Sequence, residues 1–576
     1  MSLARATVAL GVVLALLLHA PAQAAASGDE LRLAKRLAEP WPGLQRPGGS
    51  FVDVLQPGGR ARRHAGAVLG YGLLLTGARH RDGRLIRTAT RALDAATRHS
   101  ESWYGTRAFK VWAVAASYNF ARRELLRRPV VRASMPRWAR WLRRQKTTHL
   151  HWTRYYENKF LVDAVAVLEL HRTGLMSSIP GAVLGGWRER SRALAVRLIN
   201  RRIPAMGLPV LSDRPSFPLA YHALSYAMYA RAQRLLGREA SPRARATLAR
   251  LGRASWLMAA PDGDVAYWGR SLASSWTLPA TAFGVKATAA ARPRSAWPGR
   301  AAALSTRLLA RLRTYGVGPA GEWITPGVRQ DTAVGSLGID GYSNAVSASG
   351  LTLVFLNWAA QLGPRHATSG QVAADLPLRA LVGTGQGRFA VVREGNLWFA
   401  VKEYASNNLR LDFGLVALKR LEDGVWRDVI PLRPVGNGSA GPNLVARGLS
   451  WIPTGTGTRL LPDGVVEITG GFRRGRHRIR RGTLFRFRPV SCGVELSVTA
   501  LPGDTFRFSA FLRGGARFEP ETRSLVGPTQ SFTSALAPSS AWIARRLYSS
   551  ASDAALTQVG FRIPAEAEPS VAVTLC

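Results

Sequence analysis

Two hydrophobic periods divide this chain. From about Arg62 to Ala360, apolar residues recur at steps of three and four, interrupted every 15 to 25 residues by Gly, Pro or Asp. That spacing places the apolar side chains on one helical stripe and predicts helices. The clearest segments are Ala65–Thr76, Arg107–Leu125, Asn158–His171, Leu219–Leu236, Arg245–Met258, Ser274–Ala290, Ala301–Tyr315 and Ala345–Leu362. About eleven to thirteen helices are expected, with no strict repeat of the tetratricopeptide or ankyrin kind. Helix pairs of this length and number suit an α/α toroid (an incomplete α/α barrel) around a central cleft; a simple elongated bundle is the alternative. Beyond a short stretch rich in Gly, Pro, Ser and Thr, the period becomes two, as in Arg388-Phe-Ala-Val-Val-Arg, Leu397-Trp-Phe-Ala-Val-Lys, Thr483-Leu-Phe-Arg-Phe-Arg and Phe506-Arg-Phe-Ser-Ala. Turn signals such as Asp423-Gly424 and Asp463-Gly464 separate these strands, which predicts an antiparallel β-sandwich.

The first segment has a third pattern. Arg5 is followed by the apolar run Val8–Leu18 and then by Ala22-Gln23-Ala24. A basic start, a short apolar run and a small-x-small site describe an export signal, the run being too short for a bilayer. The expected organisation is therefore 1–24 signal peptide, 25–362 toroid, 363–376 linker and 377–576 sandwich. The protein is expected to be secreted or held in the cell envelope. No later stretch escapes interruption by Arg or Lys long enough to span a membrane.

Charge narrows the choice of partner. Lys and Arg number 79 against 35 Asp and Glu, a net charge of +44. A G- and C-rich genome explains part of the Arg excess; a polyanionic partner explains it in another way. For an exported protein an acidic polysaccharide or an anionic envelope surface fits better than nucleic acid. The cysteines are Cys492 and Cys576. They permit one disulfide, and their spacing leaves open whether they meet. No Cys/His cluster suggests zinc, and no cofactor motif is present.

Thirteen of the 17 Trp precede Leu362, several where helix ends are expected: Trp103-Tyr104, Trp152, Tyr267-Trp268, Trp276 and Trp323. Such rings either fill gaps between helices or stack on sugar faces at a cleft rim. Serine-hydrolase, zincin and P-loop signatures are missing. Asp262 and Asp264 are read as a turn or as the paired acids of a glycoside hydrolase, with Asp340 and Glu322 as further acids.

Two segments are more specific: Tyr155-Tyr-Glu-Asn-Lys-Phe, with Asn158-Lys159 at a helix start, and Ser212-Asp-Arg-Pro-Ser-Phe-Pro-Leu-Ala-Tyr-His, with Arg214 seven residues before Tyr221-His222. Together they resemble the active-site segments of alginate lyases of the α/α-toroid type, where an Asn-His pair opens one helix and an Arg precedes a Tyr-His pair by seven. Lys159 stands where that family has His. The added β-rich part resembles the toroid-plus-sandwich lyases, including the heparinase II/III-like group. The resemblance implies β-elimination on a uronic-acid polymer, with Tyr221 as base and acid, His222 as an alternative acid, and Asn158, Lys159 and Arg214 neutralising the carboxylate. An Arg nearby favours the phenolate of a Tyr whose ordinary pKa is near ~10. Trp152, His151, Tyr267, Trp268, Arg270, Trp276 and Arg107 are candidate substrate-binding residues, with His149 near Asn158. The alternatives are a glycoside hydrolase on the same toroid and a non-catalytic polysaccharide- or envelope-binding protein. The β-rich part is expected to pack on the toroid and complete one wall of its cleft.

Overall fold

The computed structural model describes residues 28–54, 63–98, 104–145, 157–175, 182–211, 218–269, 271, 274–314, 344–363, 370–403, 413–429, 442–475, 477–547 and 556–576. The expected export signal lies outside these residues. The helical part runs α1 (28–38), α2 (Arg63–Arg79), α3 (Gly83–Thr97), α4 (Tyr104–Glu124), α5 (Pro129–Arg143), α6 (Glu157–Arg172) and α7 (Ala182–Arg197). It continues through α8 (Ile203–Ala205), α9 (Leu219–Leu236), α10 (Pro242–Met258), α11 (Thr277–Ala291), α12 (Trp297–Thr314) and α13 (Ala345–Ala360). Local chemistry sets several of these starts. The Asp82 carboxylate accepts the Arg84 and Leu85 N–H groups ahead of α3, and Ser241 caps α10 just before Pro242.

Apolar pattern sorts the helices into two layers. Every residue of α11 from Thr277 to Ala289 is buried, as is nearly all of α13. A helix apolar all round must be enclosed all round. By contrast α3 buries one face and exposes Arg84, Arg87 and Arg91. The enclosed helices form a circuit in which α2 packs on α4, α4 on α6, α6 on α9, α9 on α11, α11 on α13, and α13 on α2. The outer layer is α3, α5, α7, α10 and α12, each packed on an inner neighbour. Helix α1 ties the ends of this layer together: Asp29 pairs with Arg313 of α12, and His80, just past α2, bonds the Leu31 carbonyl. Where α2 meets α13, glycines let the backbones approach. A Cβ on Gly350 would lie 2.7 Å from the Leu69 nitrogen, and one on Gly72 2.7 Å from Leu353 Cβ.

The circuit is plugged at one end. Trp358 of α13 meets Trp112 edgewise and Phe283 at a tilt, and its Nε1 donates to the Tyr71 hydroxyl at 3.2 Å. The Arg231 guanidinium lies 4.8 Å over its ring. Arg231 in turn pairs with the buried Glu169, whose other oxygen accepts from Asn119 Nδ2 at 2.9 Å. One ring and one ion pair thus join α2, α4, α6, α9, α11 and α13.

The rest of the chain is antiparallel sheet, as the period of two predicts. The first sheet has the order β1-β2-β3-β4-β5, with β1 (Leu378–Val382), β2 (Phe389–Glu394), β3 (Leu397–Lys402), β4 (Gly414–Glu422) and β5 (Val425–Asp428). The second contains β6 (Asn443–Ala446), β7 (Leu449–Leu460), β8 (Val466–Arg474), β9 (His477–Val490), β10 (Gly493–Thr499), β11 (Asp504–Arg513), β12 (Arg517–Glu519), β13 (Ser524–Val526), β14 (Ser531–Ser534), β15 (Ser540–Leu547), β16 (Leu556–Ala565) and β17 (Ser570–Leu575). Its order is β12-β13-β14-β17-β10-β9-β8-β7-β6-β11-β16-β15. The smaller sheet is the middle layer. Phe389, Val391, Trp398 and Ala400 join the core of the helices, while Ala390, Val392, Phe399 and Val401 join the core under the larger sheet. That is why β3 is buried at all six positions and not half-buried. Cys492 and Cys576 form a disulfide that ties the β9–β10 turn to the end of β17. Among the described residues no helix is long and apolar enough to cross a membrane.

Arg231→Met is expected to cost about 3–5 kcal/mol, because it strands the Glu169 charge in a dry site. Urea unfolding followed by the helical signal checks this, and the double change Glu169→Leu with Arg231→Met should recover most of the loss. A single variant within 1 kcal/mol of the parent would contradict the role given to this pair.

Candidate active site at the N-termini of the inner helices

Because inner and outer helices alternate along the chain, the inner helices share one direction. The plug agrees with it: Asn119, Glu169, Arg231 and Trp358 lie in the later parts of their helices, and Tyr71, Trp112 and Phe283 lie near the middle of theirs. The N-termini of the inner helices therefore gather at the opposite end. Their dipoles make that end attractive to anions, and at α13 the buried Asp53 carboxylate already accepts the Ala345 and Val346 N–H groups at 3.2 Å. The described polar side chains at these first turns include His64 on α2, Arg107 on α4, Asn158 and Lys159 on α6, Tyr221 on α9, Thr277 on α11 and Ser347 on α13.

Tyr221 owes its position to its place on α9. From Leu219 to Ala230 every other residue is buried, and Tyr221 alone is half-exposed. The first turn is seated on the segment before α11. The Leu219 N–H donates to the Trp268 carbonyl at 3.0 Å, and Gly269 presses against Pro218. Gly269 has φ +87°, and a Cβ there would lie 2.5 Å from Pro218, so no larger residue fits. On the neighbouring α6, Asn158 is buried and its Oδ1 accepts the Lys159 N–H at 2.6 Å. The structure thus brings Tyr221, Asn158 and Lys159 onto the first turns of two adjacent inner helices. One turn into α6, burial raises the Asp163 carboxyl to about 7, against the pull of Lys159.

Other expected site residues have different work. His222 is buried, its Nδ1 accepting from the Leu211 N–H at 3.1 Å and its Nε2 bonded to the Ser255 hydroxyl at 3.1 Å. Burial lowers its pKa to about 4, so the ring is neutral and both nitrogens are engaged. It is a core histidine and does not serve as the acid. Tyr267 is buried with its hydroxyl donated to the Met258 carbonyl, and its ring meets Trp398 of β3 edgewise. Trp268 is buried under the Lys402 ammonium, 5.6 Å from the ring centre. Trp276 is buried in the helical core. These three rings are corrected from sugar platforms to packing residues, two of them at the seam with the sheet. Arg107 is half-buried, with one guanidinium nitrogen 3.4 Å from Gln145 Oε1.

The acids of the hydrolase reading also have partners. Asp262 pairs with Lys419 of β4 at 2.8 Å and with Arg311 at 3.2 Å, which hold its carboxyl below the usual range although burial raises it. Asp264 accepts the Ala266 N–H, and its carboxyl is raised by burial. Asp262 joins the helices to the sheet and Asp264 is buried in the same turn, so they are not a pair open to substrate. Arg214, His151, Trp152, Arg270, His149, Glu322 and Asp340 lie outside the described residues. Sequence reasoning missed His64 and Asp163. Each lies in the first two turns of an inner helix, so the signal for them was their place in the chain and not a motif.

No protein-family model matches the chain, and no curated protein matches it. Solved structures do. Heparinase III superposes with a TM-score of 0.50 at 10% identity, over 92% of this chain and 80% of that one. A Streptomyces coelicolor A3 chondroitin AC lyase in complex with chondroitin sulphate superposes with a TM-score of 0.48 at 11% identity, over 95% and 79%. The chain has the heparinase-like fold of α/α toroid followed by β-sandwich.

The state of His222 has a consequence in solution. Its folded pKa lies below the ordinary value of 6.5, so its contribution to stability is present above pH 6.5 and is lost as pH falls towards 4. The loss amounts to roughly 3 kcal/mol across that window. Asp163 opposes it, since a raised carboxyl loses stability as pH rises from 3.8 through 7. Melting temperatures of the parent and of His222→Gln between pH 4 and 7.5 separate the two. The parent-minus-variant difference should grow with pH up to 6.5, and a flat difference would refute the buried neutral ring.

Proposed function

We propose that the protein is a polysaccharide lyase that cleaves an acidic, uronate-containing polysaccharide by β-elimination. One observation carries the proposal: Tyr221 is the half-exposed position in an otherwise buried first stretch of α9, which packs on α6, whose own first turn carries Asn158 and Lys159. The heparinase-like fold and the net charge of +44 support it.

The chemistry follows from what the substrate requires. The C5 proton of a uronate is α to a carboxylate, and its removal builds charge on that carboxylate. The Asn158 amide and the Lys159 ammonium supply donors and charge to hold it, with Arg214 as a third group from the segment ahead of α9. The Tyr221 phenolate takes the C5 proton. The electron pair left at C5 forms the C4–C5 double bond, the C4–O4 bond breaks, and the leaving O4 takes a proton from the Tyr221 hydroxyl. Tyr221 thus ends the cycle as it began. Asn158 and Lys159 stand on a helix and so are held more rigidly than loop residues would be. Lys159 in place of a His at this position supplies a permanent charge, which suits a carboxylate.

The same reading makes the protein an exported one. The signal-like first 24 residues support it, and so does the Cys492–Cys576 disulfide, since such bonds persist in oxidising compartments.

Purified protein is to be screened on alginate, glucuronan, hyaluronan and heparin-like polymers for the ultraviolet absorbance of the C4–C5 alkene, which hydrolysis does not make. On whichever polymer responds, Tyr221→Phe is expected to lower turnover by about 10²–10⁴-fold with binding nearly intact, as for other general acid–base groups. Arg214→Lys should be milder, keeping charge but losing the planar fork. Parent-like turnover by Tyr221→Phe would refute the assignment, as would reducing ends released without alkene.

A further inference from the structure

The larger sheet ends in β11, β16 and β15, paired in that order, so β15 is an edge strand. Period fixes which face of these strands is buried: Phe506, Phe508, Phe561 and Ile563 all enter the sandwich core. The alternate positions therefore point out of the sandwich. Register brings several of them together. Arg507 of β11 stands directly opposite Arg562 of β16, and Gly560, two residues before Arg562, stands opposite Trp542 of β15. The Trp542 indole lies against Gly560. A Cβ at that glycine would fall 2.5 Å from Trp542 Cζ2 and 2.5 Å from the Phe508 carbonyl oxygen, so only glycine seats the ring here. Arg507 reaches across β16 and sets its guanidinium over the same ring, 4.8 Å from its centre. Trp542 is half-exposed, and Arg507 and Arg562 are exposed.

The charge on this face is unbalanced. Like charges directly opposite on paired strands repel, at a Cα separation of about 5 Å. Among the described residues no carboxylate pairs with Arg507 or Arg562. Thr505, Ser509, Pro564, Ser540 and Asn443 share the face by register, and none of them is an acid. We infer that Trp542, Arg507 and Arg562 form a shelf that binds a stretch of anionic polysaccharide on the sandwich, apart from the candidate active site on the toroid. An indole offers a flat apolar surface with a negative face, suited to the C–H face of a sugar ring. A guanidinium stacked on that ring keeps its N–H donors at its own edge, where they meet a carboxylate or sulfate in bidentate contact. The shelf thus asks for a ligand with a flat apolar face and negative charge close together, which an acidic sugar unit has. A groove for single-stranded nucleic acid uses successive aromatic side chains, and this face has one ring among short polar neighbours. That the occupant is a saccharide rests on the lyase reading; that it combines an apolar face with negative charge rests on the shelf alone.

The test uses the full chain, the single variants Trp542→Ala and Trp542→Phe, and the double variant Arg507→Gln with Arg562→Gln. Binding of fluorescein-labelled alginate and heparin is followed by anisotropy between about 0.05 and 0.3 M NaCl. Trp542→Ala is expected to weaken binding about three- to tenfold, the size of one stacking contact, and the loss should persist at the higher salt. Trp542→Phe keeps a flat ring and should keep most of the affinity. The Gln double is expected to bind about tenfold more weakly at low salt, with a shallower salt dependence because fewer counterions are exchanged. Its melting temperature should equal or exceed the parent's, because a repulsion is removed. The inference is overturned if the parent binds neither polymer, if Trp542→Ala or the Gln double binds like the parent, or if the parent prefers a single-stranded oligonucleotide of matched charge. Turnover separates this result from the lyase reading. A parent that cleaves no polymer but loses binding in both Trp542→Ala and the Gln double refutes the lyase and leaves the shelf standing. A parent that cleaves, with both variants unchanged in binding and in KM for long polymer, refutes the shelf alone.

Discussion

The contact between Arg231 and Glu169 over the face of Trp358 holds the helical layer in one arrangement. Filling one end with Trp358, Trp112, Tyr71 and Phe283 commits it to packing, and the buried ion pair fixes which helices meet there. Burial raises the Tyr71 hydroxyl to about 12, so it stays a neutral donor and acceptor. The proposed chemistry belongs to the other end, where the inner helices start. On that proposal, stability and function are separated along a single axis.

The sheet meets the helices through a second set of buried charges. Lys419 stands between Asp262 of the helical part and Asp428 of β5, and Tyr267 and Trp268 lie against Trp398 and Lys402. Since the Trp268 carbonyl also holds the first turn of α9, the seam between the two parts and the placement of Tyr221 share one segment of chain. A rigid seam is consistent with a short linker, and it explains why the aromatic residues before α11 are buried.

How far the residues alone announced this structure depends on the kind of information each carries. Period separates helix from strand, and α9, α11 and α13 emerge close to where the apolar spacing puts them. The all-round apolar character of α11 even marks it as an inner helix. Aromatic side chains carry no such label. Tyr267 and Trp268 flank polar residues whether they line a cleft or a seam, and only the position of β3 decides between them. His222 likewise follows Tyr221 in the motif, yet on a helix adjacent residues point about 100° apart, so Tyr221 stays half-exposed while His222 is buried. Asp163 was invisible because its interest comes from the medium around it.

The bond between Cys492 and Cys576 turns a run of the sandwich into a covalent macrocycle. Strands β10 to β17, with the exposed turn at 520–523, lie inside it. A protease that nicks that turn would cut the backbone without releasing either piece, and both fragments would stay paired across β10, β17 and β14. Limited digestion would then be silent on a non-reducing gel and visible after reduction.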